Sequence, residues 1–308
     1  MLRNKADRRS IFFMAITTAL FVAQWMAPHF QWALFLPSCF MALIVFVIVH
    51  NHSHLPMWKA PILNHFQSYW LTLFYGYPVF AWIPTHIRNH HVLNNRAGDD
   101  SLTYRHTEGN HLLSLLSYPA VSGGAQQRTN IRFIKGLWGT DRRKCVYYLS
   151  QAGALLIFTL IGLFINWKKA LYAIVIPQQV SLNGVLMINY MQHVHADEES
   201  RWNHSRNFVG GFANWLLLNN GYHTIHHEKP LQHWSENAAA HAKIAHHIDP
   251  TLCEQNPVGY IVRAYILGAF DKRFATRSMR LRRLNVNQES EALEARGTGA
   301  LAVGSDQI

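Results

Sequence analysis

Three short stretches of this chain concentrate one kind of chemistry: HNHSH at 50–54, HIRNHH at 86–91 and YHTIHH at 222–227. The chain carries 20 histidines in 308 residues, and these stretches hold the tightest clusters of them. A neutral imidazole is a good ligand for Fe, Zn, Cu and Ni, so clustering suggests metal without choosing which. Residues four apart share one face of a helix, with Cβ atoms about 5–6 Å apart. His50 with His54, His86 with His90, and His223 with His226 or His227 all fit that face. The doublets His90–His91 and His226–His227 point about 100° apart on a helix. A doublet therefore chelates one ion poorly but can give one ligand to each of two. Repeated elements of this kind predict a dinuclear metal centre. His52 offers a competing register in the first stretch, and the His50/His54 pair is the favoured one.

The elements that must position these side chains are strongly apolar. The chain is 49% hydrophobic and only 15% charged, against roughly 25% charged in soluble domains. Spanning a bilayer takes about 20 apolar residues, and apolar blocks occur at 11–28, 32–50, 152–167 and 170–191. The first follows a basic start, as in a signal peptide, but exceeds the usual apolar length of about 7–15 residues and is followed by a second block. Gln178, Gln179 and Asn183 inside the last block are costly in lipid and are expected to face a protein interior. With the N-terminus in the cytoplasm, four spans leave all the lysines and arginines but Lys168 and Lys169 on that side, as the positive-inside rule requires. All three histidine clusters fall on the same side. The expected architecture is all-α and integral to the membrane: about four spans in two hairpins, with a cytoplasmic helical cap holding the di-metal site. The formal charge of +11 is distributed as for a membrane surface, which argues against nucleic acid. Cys39, Cys145 and Cys253 lie far apart, which excludes a disulfide framework or a cysteine-built metal site.

The order HxxxH, HxxxHH and HxxHH around two hairpins resembles the membrane fatty acid desaturase superfamily of di-iron enzymes. HHVLNNRAGDD at 90–100 is similar to that family's second box, in which HxxHH is the commoner form, and YHTIHHEKPLQHW at 222–234 to its third. NYMQH at 189–193 resembles its extra NxxxH element. The resemblance implies nine ligands, His50, His54, His86, His90, His91, His193, His223, His226 and His227, with Asn189 as a weak or water-mediated partner. It implies two iron ions and O2, acting on an unactivated C–H bond to give either a double bond or, by the alternative outcome, an alcohol. A fatty-acyl or similar lipid chain is the implied substrate, and a bacterial inner membrane the implied setting. No haem motif or cysteine iron site is present, so electrons are expected from a separate ferredoxin, rubredoxin or cytochrome b5 type of donor. A metal transporter is disfavoured, because the clusters lie on one side and the spans carry no acid.

Carboxylates that orient the ligating imidazoles are expected among Asp99, Asp100, Asp197 and Glu228; solvated loop acids are the plainer alternative. His29, His65, His106 and His111 read as structural, His195 and His204 as structural or outer neighbours, and His241, His246 and His247 as a surface helix that imitates a box. Residues 66–84 read as an interfacial helix broken near Gly76 and Pro78. Trp70, Tyr75, Phe80 and Trp82 suit either an acyl channel or an aromatic belt. Residues 257–283, a short apolar helix and then six cations, read as an interfacial anchor closing the domain of residues 1–283. The segment 284–308 lacks a core-forming pattern and is expected to be disordered.

Overall fold

The structure is a computed structural model and describes residues 1–289. Three helical runs are long and apolar enough to cross a membrane: Lys5–Met26, Trp32–His54 and Arg142–His193. The first contains helix α1 (Arg8–Met26), which ends where Pro28 forces Ala27 out of the helical region. The second is α2 (Trp32–His54), apolar on all sides, with Ile44, Val45, Val47 and Val49 buried. It packs between α1 and the last helix of the third run. As a single straight rod, the 52 residues of that third run would measure nearly 80 Å, over twice the roughly 30 Å of a hydrocarbon core. The rod is broken at Asn166, whose backbone leaves helical geometry (φ −160°, ψ 96°). Asn166 lies near the end of α6 (Arg142–Ala170), which is followed by a π-helical stretch Leu171–Val175 and then α7 (Ile176–His193). Ile174 lies where a side chain on Gly162 would project, so the two arms run side by side. Lys169 Nζ donates to the Trp25 carbonyl (2.7 Å) and ties the break to the end of α1.

Between the two apolar halves run α3 (Pro61–Tyr75), the π-helical turn Ile83–His90 with its short continuation α4 (His91–Leu93), and α5 (Leu112–Thr140). The break expected near Gly76 is present: Gly76 ends α3 in the left-handed region (φ +85°). The 29-residue α5 was not foreseen, because its mixture of Pro, Gly and polar residues carries no clean apolar stripe. His111 accepts a hydrogen bond from the Ser114 amide and Asp141 one from the Lys144 amide, so α5 and α6 both start on a side-chain cap. After α7 the chain forms a group of short helices, α8 (Gly211–Leu216), α9 (His223–Glu228) and α10 (Asn237–Ile244). A parallel pair of two-residue strands, β1 (Asn207–Phe208) and β2 (Cys253–Glu254), crosses it. The expected apolar helix at 257–270 is formed by α11 (Pro257–Ile261), a π-helical stretch Val262–Leu267 and α12 (Gly268–Phe270).

Three expectations change. Of Gln178, Gln179 and Asn183 only Gln178 turns inward, donating to the Leu73 carbonyl (2.8 Å). Gln179 and Asn183 are exposed, and Asn183 donates instead to the Gln179 carbonyl one turn back (2.7 Å). The cations of 271–283 do not all face lipid. Arg280 pairs with Glu108 and Glu198, and Arg283 with Asp197 and Glu198. Residues 284–289, expected to be disordered, continue a helix begun at 279, and the rest of that tail, 290–308, lies outside the described residues.

Gly76 joins α3 to α7: a Cβ there would stand 2.5 Å from Gln178 Cβ, on a backbone that side chains rarely adopt. Gly76→Ala should cost about 1–3 kcal/mol through overpacking and strain. Gly124→Ala, whose Cβ meets nothing within 4 Å, should be neutral or slightly stabilising. Thermal unfolding in detergent checks the pair, and equal midpoints would refute this packing.

Candidate metal centre

The nine histidines named from the sequence come together from four separate pieces of chain in two adjacent groups. His50, His54, His86, His91 and His226 form the first, and His90, His193, His223 and His227 the second; within each group the potential donor atoms all lie within 4.8 Å of one another. Both doublets are split, His90 from His91 and His226 from His227, one ring to each group. The groups adjoin: the rings of His91 and His227 stack at 4.4 Å, and those of His223 and His226 lie 5.7 Å apart.

Each ring is delivered by a local device. His50 and His54 are successive turns at the end of α2. His86 was expected to share a face with His90, but its nitrogen meets His91 instead (Nε2–Nε2 3.1 Å). The segment is wound as a π-helix, which brings residues five apart into line, so the longer HxxxHH spacing is absorbed by wider winding. Asn94 and Asn95, both at positive φ, then stop the helix and turn the chain so that Asp99 returns to His90. His193 ends α7, where the buried Arg206 donates to the carbonyls of Met191 (2.6 Å) and Val194 (3.2 Å), satisfying groups that a helix end leaves open. The short helix α9 begins with the Thr224 amide donating to Asn207 Oδ1 (3.0 Å), which fastens it to β1. His223 and His227, four apart, serve one group while His226 serves the other.

The nitrogens crowd. Nε2 of His226 lies 2.8 Å from that of His50 and 3.0 Å from that of His91. Nε2 of His223 lies 2.9 Å from that of His193 and 3.2 Å from that of His227. Three of the rings must carry their proton at Nδ1: His50 against Asn220 Oδ1 (2.8 Å), His90 against Asp99 Oδ2 (2.8 Å) and His193 against the His204 carbonyl (3.2 Å). Their Nε2 atoms then present lone pairs, and that of His90, like that of His54, is buried without a partner. One in-plane N–H on His226 or His223 cannot point at two neighbours. Burial first, and neighbouring imidazoles second, push His86, His91, His223, His226 and His227 far below the ordinary histidine value, so they are neutral in place. Burial alone would raise the Asp99 carboxyl; His90 and the amides of Ser101 and Asn95 outweigh it and hold it at about 2. Neutral, convergent lone pairs about 3 Å apart suit imidazoles bound roughly 2.0–2.1 Å from a common cation. The residues fit two metal ions.

Of the four expected carboxylates, Asp99 alone touches one of the nine rings. Asp100 is buried but takes its contact from Asn89 through its backbone amide, Asp197 pairs with Arg283 and Glu228 with Arg201. Asn189 does not touch a ring; its Nδ2 donates to Tyr118 Oη (3.1 Å), and it lines the adjoining cavity. Sequence reasoning missed Asn220, which stands just before the third histidine stretch. It also missed the His204 carbonyl, because a backbone atom has no sequence signature.

His52 turns away from both groups into a small pocket with Asp7 and His233. His241, expected at the surface, is buried against Tyr222, while His247 stacks on Trp202. His195 bonds the Glu108 carbonyl and Thr276. None of these joins either group.

A cavity of about 80 Å³ opens beside the imidazoles. Phe46, Tyr75, Trp82 and Leu186 form an apolar wall, and His50, His86 and His223 line the side toward the histidine groups. Trp70 and Phe80 are not part of it; they pack on Phe74 and Tyr148.

The family model for fatty acid desaturases matches residues 11–261 of the chain. Neither the curated proteins nor the solved structures yield a match.

If Asp99 orients His90 as the distances indicate, Asp99→Ala should weaken metal binding by about 10–100-fold. Asp197→Ala and Glu228→Ala should leave it near normal. Metal titration of the three purified variants checks this, and equal losses would remove the special place of Asp99.

Proposed function

The chain belongs to the membrane fatty acid desaturase superfamily, and from that premise we propose that it is an O2-dependent di-iron desaturase that introduces a double bond into a lipid acyl chain. The observation that carries the reading is the splitting of both histidine doublets between two adjacent groups. Neither a mononuclear site nor a set of structural histidines calls for that division.

In this reading α1 and α2 form one membrane hairpin and the two arms about Asn166 form another, giving four crossings. The cap and both histidine groups then lie on the cytoplasmic side of a bacterial inner membrane, where the basic residues gather. Two iron ions, reduced by a separate protein donor, would supply the chemistry that takes hydrogen from an unactivated C–H bond with O2. The protein's part is to hold and to exclude. His50, His54, His86, His91 and His226 would keep one ion, and His90, His193, His223 and His227 the other. Asn220, Asp99 and the His204 carbonyl fix the Nδ1 protons of three of these rings, so that each Nε2 stays a lone-pair donor. Phe46, Tyr75, Trp82 and Leu186 give the chain an apolar wall and keep bulk water from the reacting carbon.

Purified protein should hold about two irons per chain, one for each ring of a split doublet. His226→Ala should strip iron and activity, while His246→Ala should leave iron near normal; the reverse pattern would reject the assignment. With O2, a reductant and a fatty-acyl substrate, mass analysis should show loss of two hydrogens. A product that gains one labelled oxygen atom from O2 would instead mark a hydroxylase.

A further inference from the structure

The first histidine group is bordered by space on two sides. Phe46 and His50 of α2 line the cavity described above. Ile48 and His52, each two residues from His50 and so about 200° round the helix, line a second and smaller pocket. Its volume is about 20 Å³, enough for one water, which needs about 10–15 Å³. Asp7, Ser10, His52 and Asn237 give it a polar lining, and His54 and His226 bring it to the histidine group. Ser10 Oγ and Asn237 Nδ2 have no protein partner among the described residues, and neither is sealed off. A polar pocket of this size, with donors and acceptors to spare, is a site for buried water.

One side chain divides this pocket from solvent. His233 lines both the pocket and an open recess at the surface, whose other walls include Arg3, Asn4 and Lys59. The Ser235 amide donates to His233 Nδ1 (3.2 Å) and the Ser235 hydroxyl lies on the same nitrogen (2.8 Å), so the neutral ring carries its proton on Nε2. That nitrogen stands 3.2 Å from Asp7 Oδ1, which also accepts from Trp234 Nε1 (2.9 Å). Recess, imidazole, carboxylate and pocket thus follow one another from the surface to the first histidine group.

Desaturation needs such a path. A CH2–CH2 unit, one O2, two electrons from the donor protein and two protons from solvent become a CH=CH unit and two waters. The apolar wall that holds the acyl chain excludes water on its own side, so the protons must arrive from another. We infer that the small pocket holds one water and that His233 and Asp7 pass protons through it from the recess to the first histidine group. His233 takes a proton at one ring nitrogen and gives one up at the other, Asp7 hands it to the pocket water, and each group ends with the protons it began with. The inference rests on the function proposed above for the demand for protons, but not for the water in the pocket.

X-ray hydroxyl-radical footprinting, which oxidises side chains beside bound water, reads the pocket in the wild-type protein in detergent. Met57 lines the pocket and is 4% exposed, whereas Met191, 2% exposed, lines neither cavity. Met57 should be oxidised severalfold faster than Met191. In the iron-loaded protein His233→Ala should lower turnover of a fatty-acyl substrate by about 100-fold, the low end for a positioned proton transfer, with iron content unchanged. Added imidazole should restore much of that loss, whereas pyrazole, of the same size but a far weaker base, should not. Equal oxidation of the two methionines, unchanged turnover in His233→Ala, or the same response to both heterocycles overturns the inference. If His233→Ala loses its iron, the methionine comparison in the wild-type protein decides. A wild-type protein that binds no iron or forms no double bond sinks the proposed function, whereas an active desaturase with equal methionine oxidation sinks only the proton path.

Discussion

Nine imidazole nitrogens directed into one buried space set the terms for everything around them. Neutral rings whose lone pairs face each other at about 3 Å repel unless a cation or shared protons lie between them, and protons are too few for the contacts present. Such a cluster stays assembled without a cation only if the surrounding chain holds it by force of packing. The helices supply that packing. α2 reaches the site as a rod buried in its lower half, and α7 as a rod finished by a buried arginine. The remaining rings hang on short segments fastened by side chain to backbone bonds.

Those fasteners form a chain of dependence running outward. His193 needs α7 to end where it does, which needs Arg206; Arg206 in turn lies over the Tyr260 ring of α11 (4.5 Å). The loop that follows the second histidine stretch is clasped from the other end of the chain, where Arg280 sits over Tyr104 (3.9 Å) and bonds Glu108 and Glu198. The basic segment near the C-terminus is thus partly structural. Arg280 and Arg283 are held by neighbouring acids. Exposed ion pairs contribute little individually, but a shared network with a partly buried acid at its centre, Glu198, is of the kind that contributes more.

Much of this could be read from residue order because the relevant signals are local. A block of apolar residues is visible as such, and a doublet of histidines on any helix must diverge, so the long apolar helices and the split doublets were legible. What depended on other parts of the chain was not. The partner of His86 turned on π winding, a backbone choice with no compositional mark, and so the expected pairing with His90 differs from the one found. Asp99, Asp100, Asp197 and Glu228 were equal candidates by proximity in sequence, and only the turn through Asn94, Asn95 and Gly98 singles out Asp99. Helix α5 was overlooked for a related reason. Its role is to line a cavity with polar side chains, and that role erases the apolar stripe by which a helix is usually seen. The orientation of Gln178 against Gln179 and Asn183 also required knowing where α3 would lie.

The two histidine groups draw unequally on the chain, and that has a consequence for how the protein is made. Four of the five rings in the first group, His50, His54, His86 and His91, belong to the first 91 residues, whereas the second group takes only His90 from that portion. During synthesis the first group is nearly complete before α5 exists. The second has a single ring until α7 and α9 have been made. The two groups are therefore synthesised at different times: an early cradle waits, partly built, for α9, the last of the segments that carry these nine histidines to emerge.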